Sequence, residues 1–210
     1  MLSSLMRRLN QRRAAEFDAA GSAEAGFTLI ELMVVLLILA ILLAIAIPTF
    51  LGVTKSANDR ASQSNLNTAV TNAKAYYQQN GQSYGTGTTA AAAVQGALST
   101  QEPSLTFTTG TITAGTGAGS IVSVYVSTDG NGVVLTAWSK AGWCWVLADN
   151  TATIVPVAAD LAYGGSAGTL NIPTAAGTKY GKVAAATAGL CGAGQALPNT
   201  IPYSSSGFPS

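Results

Sequence analysis

A long apolar run near the N-terminus dominates the hydrophobic pattern of this chain. From Phe27 to Ile47 there are 21 residues, and all of them are hydrophobic except Thr28 and Glu31. A helix of this length is roughly 30 Å long, which matches the hydrocarbon core of a bilayer. The run therefore predicts a transmembrane helix. Glu31 then indicates a function, because a carboxylate at that depth costs about 2.5–3.5 kcal/mol and the chain offers it no partner nearby.

The helical pattern continues beyond the apolar run and becomes one-sided. Between residues 55 and 79, alanine and larger apolar residues recur at helical spacing while polar residues occupy the other faces. Pro48 lacks a backbone donor and Gly52 follows four residues later, so this pair predicts a soft joint or kink. Asn80-Gly81 is a helix stop. We expect one helix of about 50 residues, bent near Pro48, whose second half lies against another element.

Strand patterns follow in the second half of the chain. Three runs, at 121–126, 133–138 and 143–147, are rich in β-branched and aromatic residues, and glycine-containing turn sequences separate them. They predict an antiparallel meander whose apolar face covers the one-sided half of the helix. Residues 153–157 are a candidate fourth strand, and residues 90–98 a candidate short helix. The remaining C-terminal region is rich in glycine, alanine and serine and has little core-forming content.

Charged residues are few and balanced, which limits the partners that the chain can bind. Four of the ten basic residues and three of the nine acidic ones precede residue 27, which leaves six of each in the remainder. There is accordingly no electrostatic case for nucleic acid or for an acidic substrate. The four early residues are arginines that precede the apolar run, whereas the first cation after it is Lys55. This bias keeps residues 1–26 in the cytoplasm and places the C-terminal part across the membrane.

Two simpler interpretations of the apolar run remain open. Ala44-Ile45-Ala46 matches the small-residue pattern at which a secretory signal peptide is cleaved. However, the run is longer than the apolar region of a signal peptide, which has about 7–15 residues, and Glu31 would have no purpose inside it. A plain membrane anchor is the second alternative, and it also leaves the acid unexplained.

The chain contains two cysteines, Cys144 and Cys191, which lie on the predicted exported side of the membrane. Thiols oxidise in exported compartments, so we expect the two cysteines to form a disulfide. Metal ligation by the pair is a disfavoured alternative, because the chain has no histidine and no third cysteine.

Residues suited to catalysis are sparse. The chain has no histidine, which excludes Ser-His-Asp and Cys-His catalysis, and it has no glycine-rich phosphate loop that ends in Lys-Ser/Thr. We therefore expect neither an enzyme activity nor a cofactor. Asp149, Asn150 and Asp160 are a weak candidate set of calcium ligands. We expect the three tryptophans to pack in the sheet and at its edge rather than to bind a ligand.

The residues around the start of the apolar run resemble a known family segment. A glycine (Gly26), a phenylalanine (Phe27) and an acid at the fifth position of the helix (Glu31) are similar to the processing and assembly segment of type IV pilins and type II secretion pseudopilins. The resemblance implies that a prepilin peptidase cleaves after Gly26 and that the new amino group on Phe27 is methylated. In a packed array, this amino group would pair with Glu31 of a neighbouring subunit.

The same resemblance implies an α+β, type IV pilin-like fold. Its long bent N-terminal helix would pack on a small antiparallel sheet, and a disulfide would close its C-terminal region. The expected division is a leader at 1–26 that is removed, a transmembrane and polymerisation helix at 27–47, an amphipathic continuation at 48–80 and an extracytoplasmic β-rich region at 81–210. The stretch around Pro48 would extend when subunits pack.

We interpret the chain as a structural subunit of a type IV pilus-like filament. Its expected partners are further copies in a helical homo-oligomer, a prepilin peptidase and N-methyltransferase, and the assembly machinery in the membrane. The chain would cross the cytoplasmic membrane once, with its N-terminus inside, and would reach the cell surface after assembly. A type II secretion pseudopilin is the alternative, and a membrane-anchored binding domain or enzyme is a further one. A DNA-uptake subunit is disfavoured, because the six cations beyond residue 26 form no evident stripe.

Overall fold

The computed structural model describes residues 27–87, 89–112, 119–157, 172–184, 191–193 and 201–209. The predicted leader, including Gly26, lies outside the described residues. The chain divides into two compact units, Met1–Phe50 and Leu51–Ser210. One helix, α1 (Leu29–Gln79), belongs to both units.

In the first unit, α1 is apolar on every side. Every described residue from 27 to 50 is exposed. By length and composition, α1 is the one helix among the described residues that can cross a membrane. Pro48 lies within it, and next to this proline the Thr49 hydroxyl donates to the carbonyl oxygens of Ile45 and Ala46 at 3.2 and 2.9 Å. The soft joint at Pro48 and Gly52 stays a prediction.

The second unit is built on a sheet of six described strands that lie in chain order. The strands are β1 (Thr106–Thr108), β2 (Ile121–Val126), β3 (Gly132–Trp138), β4 (Trp143–Asn150), β5 (Gly177–Ala184) and β6 (Tyr203–Ser204). β1 runs parallel to β2, and all the other neighbours are antiparallel. A second helix, α2 (Ala90–Gln101), packs against β1 and β2. The predicted α+β class, the short helix and the meander of β2 to β4 are confirmed.

Helix α1 covers one face of this sheet, as its one-sided pattern predicts. Its buried residues Leu66, Ala69, Val70 and Ala73 form one cluster with inward-facing residues of β2, β3 and β4. Side chains alternate along a strand, so the neighbouring positions of the same strands point to the opposite face.

The opposite face is covered by C-terminal segments, which corrects the expectation that this region has little core-forming content. Ile154, Ile172 and Ile201 pack there with Val134 of β3 and Val146 of β4. Every residue of β3 is therefore buried. The sheet lies between a helical layer and a layer of irregular chain.

The predicted fourth strand at 153–157 is wrong. Ile154 instead donates its backbone N–H to the carbonyl oxygen of Thr174 at 2.8 Å, outside any strand. The fourth strand of the meander is β5, which pairs with β4 along its whole length. Gly181 in its middle weakens the strand pattern, but a Cβ at this position would lie 2.8 Å from side-chain carbons of Ile201 and Tyr203. The close approach of β6 and its preceding residues requires a glycine there.

A buried carboxylate near the end of strand β4 connects the sheet to helix α1. Asp149 of β4 accepts an ion pair from Lys74 of α1 at 3.0 Å and hydrogen bonds from Tyr84 and Thr178 at 3.2 and 2.7 Å. Burial, and then the charge of Asp149, raises the pKa of Tyr84, so its hydroxyl remains a donor. The aromatic rings of Tyr84 and Tyr77 also pack together, with centroids 4.9 Å apart. The helix end, the following loop and two strands thus meet at one acid.

Replacing Lys74 by methionine should lower the free energy of unfolding by about 1–2 kcal/mol, because it leaves the buried Asp149 without its cation. The loss is smaller than for a fully buried pair, since the Lys74 side chain is half exposed and Tyr84 and Thr178 still donate. Thermal unfolding of the full chain in detergent measures it. Lys55→Met, an exposed lysine on the same helix, is the matched control. Equal effects of both substitutions would contradict the prediction.

Candidate functional site

The first turn of α1 holds the acid that the sequence singles out. The backbone N–H and the hydroxyl of Thr28 both donate to Oε2 of Glu31, at 2.9 and 2.8 Å, and the Glu31 N–H donates back to the Thr28 hydroxyl oxygen at 3.3 Å. Helix α1 begins at Leu29, so Thr28 is its N-cap and Glu31 its third residue. This reciprocal arrangement is a capping box.

The capping box corrects the expectation that the chain offers Glu31 no nearby partner. Thr28 supplies two donors, and the positive end of the helix dipole adds further stabilisation for a carboxylate in the first turn. The signal was present in the sequence, because threonine followed three residues later by glutamate before an apolar run is typical of a helix start. Thr28 was nevertheless not predicted as a residue of the site.

The second oxygen of the same carboxylate remains available. Among the described residues, Oε1 of Glu31 accepts no hydrogen bond, and the side chain is exposed. Phe27 precedes the helix and is 85% exposed. The site can therefore accept one further donor without losing its cap.

Around this acid the helix surface is apolar and uncovered. Ile30, Met33, Val34 and Leu37 are each between 49% and 69% exposed, and they lie next to one another on α1. Such a continuous apolar surface is typical of a segment that lies in lipid or packs against other apolar helices. It has no counterpart on the sheet-containing unit, where the large hydrophobic residues among the described ones are mostly buried.

The two cysteines form the predicted disulfide. Cys144 lies in β4 and Cys191 lies outside the named strands, where it pairs with Ile112 through a single β-bridge. Both are fully buried in the cluster on the outer face of the sheet, which is the face opposite helix α1. Next to the bridge, Ala193 donates its backbone N–H to the hydroxyl oxygen of Ser123 in β2. The disulfide thus ties a C-terminal segment to the middle of the sheet.

Two of the three candidate calcium ligands are engaged by other residues of the chain. The Asp149 oxygens are occupied by Lys74, Tyr84 and Thr178, as described above. The side-chain amide of Asn150 donates to the carbonyl oxygens of Pro173 and Ala175, and Asp160 lies outside the described residues. Within the described part of the chain, no three acidic, histidine or cysteine residues are grouped to hold a metal ion.

The tryptophans pack in the sheet, as expected from the sequence. Trp145 is buried against α1, and its indole N–H donates to Asp59 at 3.1 Å. Trp138 is buried on the opposite face, whereas Trp143 is half-buried at the start of β4. Lys182 lies over the Trp143 ring, with its Nζ 4.3 Å from the ring centroid.

Comparison with known proteins supports the resemblance at the N-terminus. Residues 21–47 match the family described as "Prokaryotic N-terminal methylation motif". The chain is also similar to the "Type IV wide pilus major component PilA4" of Thermus thermophilus, with 53% identity over 45 residues, which cover 21% of this chain and 34% of that protein. No solved structure matches the chain.

Both matches cover only a part of the chain, 27 residues for the family motif and 45 for the relative. The match spans about a third of the length of the curated relative, and the family motif ends at residue 47. The N-terminal segment is therefore of the prepilin type, and the predicted resemblance of this segment to type IV pilins is confirmed. The sheet and its disulfide are supported by the structure and not by these two matches.

Proposed function

We propose that this chain is the structural subunit of a type IV pilus-like filament, anchored in the membrane before assembly and polymerised through the first half of α1. The observation that carries the proposal is the N-terminal methylation motif on a helix whose apolar surface is uncovered and whose first turn presents an acid. The role is structural rather than enzymatic. The chain needs no cofactor for it.

Processing after Gly26 would create the second half of the assembly contact. Cleavage there gives Phe27 a charged primary amino group, and a single methylation converts it to a secondary amine that remains protonated and charged. In a packed array, this ammonium of one subunit would donate to Oε1 of Glu31 of the next. The cap from Thr28 would meanwhile hold the carboxylate in one orientation.

The topology follows from the charges on either side of the apolar run. Four arginines precede it and none lies between residue 27 and Lys55, so the leader stays in the cytoplasm and the sheet-containing unit is exported. A prepilin peptidase and the membrane assembly machinery are the partners that this route requires. The relative from Thermus thermophilus is a wide pilus component, which favours a pilus over a secretion pseudopilus.

The full chain, expressed with a prepilin peptidase, should yield a protein that begins at Phe27 and carries one extra methyl group. Intact-mass measurement of sheared surface protein tests this. Gly26→Leu should retain the leader, because a bulky side chain obstructs the peptidase, whereas Gly21→Leu is a matched glycine substitution within the leader and should be processed normally. A mature protein that begins at Ile47, as after an ordinary signal peptide, would contradict the proposal.

A further inference from the structure

Four cations from three separate segments of the chain lie at one end of the sheet-containing unit. They are Lys55, Arg60, Lys140 and Lys182, out of six basic residues beyond residue 26. The first three are exposed, and Lys182 is partly buried. The clustering is a product of the fold, since these residues come from helix α1, the β3–β4 turn and β5.

Contacts between α1 and the sheet identify the end of the sheet at which these cations lie. Asp59 bonds to Trp145 near the start of β4, and Ser62 donates to the carbonyl oxygen of Trp138 at the end of β3. Lys74, five turns of chain further along the same helix than Lys55, reaches Asp149 near the other end of β4. The β3–β4 turn with Lys140 therefore lies at the end of the sheet that Asp59 and Ser62 contact.

Arg60 and Lys182 are the best-organised pair in this cluster. They line one cleft with the polar residues Ser56 and Gln63 and with Asp59, whose carboxylate accepts the indole N–H of Trp145. The Lys182 ammonium is held 4.3 Å from the ring centroid of Trp143 and 5.1 Å from that of Trp145. Arg60 forms no ion pair among the described residues.

Among the described residues, two acids at the same end only partly offset this charge. Asp59 accepts the indole N–H of Trp145, and Glu102, at the end of α2 next to β1, accepts the hydroxyl of Ser104. Asp129 and Asp149 lie at the opposite end, in the β2–β3 turn and at the end of β4. The basic end thus keeps an excess of positive charge.

We propose that this basic end docks on the anionic headgroups of the membrane in which the chain is anchored, with lipid phosphates at Arg60 and Lys182. The inference rests on the proposed membrane-anchored stage. Anionic headgroups on either side of a bilayer attract lysine and arginine side chains that lie within about a Debye length of the lipid surface. Docking holds the sheet-containing unit against the bilayer until the subunit leaves it.

The surroundings of the cations favour lipid over nucleic acid. Leu51 and Val53, which precede Lys55 on α1, are 55% and 68% exposed, so the apolar surface of the helix continues up to the basic end. Trp143 is half-buried beside Lys182. Tryptophan and basic residues at the end of an apolar helix are typical of the membrane–water interface.

The test uses the full chain in nanodiscs of phosphatidylcholine, with or without phosphatidylglycerol, and a nitroxide label on a fraction of the headgroups. Quenching of tryptophan fluorescence reports mainly on Trp143, because Trp138 and Trp145 are buried. We expect stronger quenching with phosphatidylglycerol and loss of the difference at high salt. Arg60→Gln combined with Lys182→Gln should lower the ratio of docked to undocked protein about tenfold or more.

Two matched variants complete the test. Lys55→Gln combined with Lys140→Gln changes only exposed side chains and should weaken docking in the same direction, even if the Lys182 variant disturbs packing. Lys179→Gln removes an identical charge from the opposite end of β5 and should leave the quenching unchanged.

Three outcomes would overturn the inference. If the chain inserts normally and the quenching is equal in both lipids, the docking inference is overturned and the proposed function is unaffected. If the chain fails to insert, both the docking inference and the proposed function are overturned. Charge-dependent retention of a duplex DNA oligonucleotide, without any effect of lipid, would reassign the basic end to nucleic acid.

Discussion

A chain with Glu31 replaced by leucine should insert into the membrane and be cleaved after Gly26, but it should be strongly depleted from sheared filaments. Leucine removes an acid that costs a few kcal/mol in lipid, so insertion is not harmed. Assembly loses the charge-assisted contact with Phe27 of the neighbour. Such contacts contribute about 1.5–3 kcal/mol each, so the filament yield should fall about tenfold or more.

The capping box allows the two roles of Glu31 to be separated. Glu31→Gln keeps an acceptor oxygen for Thr28, because glutamine also serves in a capping box, but it removes the negative charge. Thr28→Val does the reverse, since it removes the hydroxyl and keeps the charge. If assembly depends on the ammonium–carboxylate contact, Glu31→Gln should resemble Glu31→Leu, and Thr28→Val should retain most of the filament yield.

The comparison is made by shearing cells and measuring the subunit in the filament and membrane fractions. Wild-type filament yield from Glu31→Leu would remove the acid from the mechanism and leave only a membrane anchor or a different assembly contact. A defect in Thr28→Val with normal assembly of Glu31→Gln would show that the cap matters and the charge does not.

The elements that could be predicted from the sequence are those whose pattern is local. The apolar run predicts helix α1 almost to its observed start at Leu29, and β2 was found at Ile121–Val126 because β-branched residues end at a glycine-rich turn. The capping box was equally local. Its spacing from Thr28 to Glu31 is visible in the sequence, since both residues belong to the first turn of one helix.

The missed elements depend on partners that are distant in the chain. β1 has three residues, of which only Phe107 is buried, and its parallel pairing to β2 supplies the backbone hydrogen bonds that define it. β5 contains two glycines and two lysines, and it is recognisable only beside β4. The ion pair of Lys74 with Asp149 and the basic end likewise arise when the sheet brings separate segments together.

Removing the disulfide should lower the free energy of unfolding of the full chain by about 4 kcal/mol. The crosslink joins residues 47 apart, and a closed loop of that length reduces the entropy of the unfolded chain by roughly this amount. Cys144→Ala combined with Cys191→Ala is the cleanest variant, because both sites are fully buried and alanine adds no polar atom. Denaturant unfolding in detergent, followed by tryptophan fluorescence, measures the loss.

The structure also indicates which segment of the chain should unfold first when the disulfide is removed. Cys191 and Ala193 reach the sheet through the bridge to Ile112 and the bond to Ser123, and neither contact belongs to the long β-ladders. Protease should therefore cut near residue 191 before it cuts β3 or β4, which stay paired on both sides. Cys144→Ala alone should match the double variant if the crosslink is responsible. A loss below about 1 kcal/mol, with uniform proteolysis, would mean that packing on the outer face holds this segment without the disulfide.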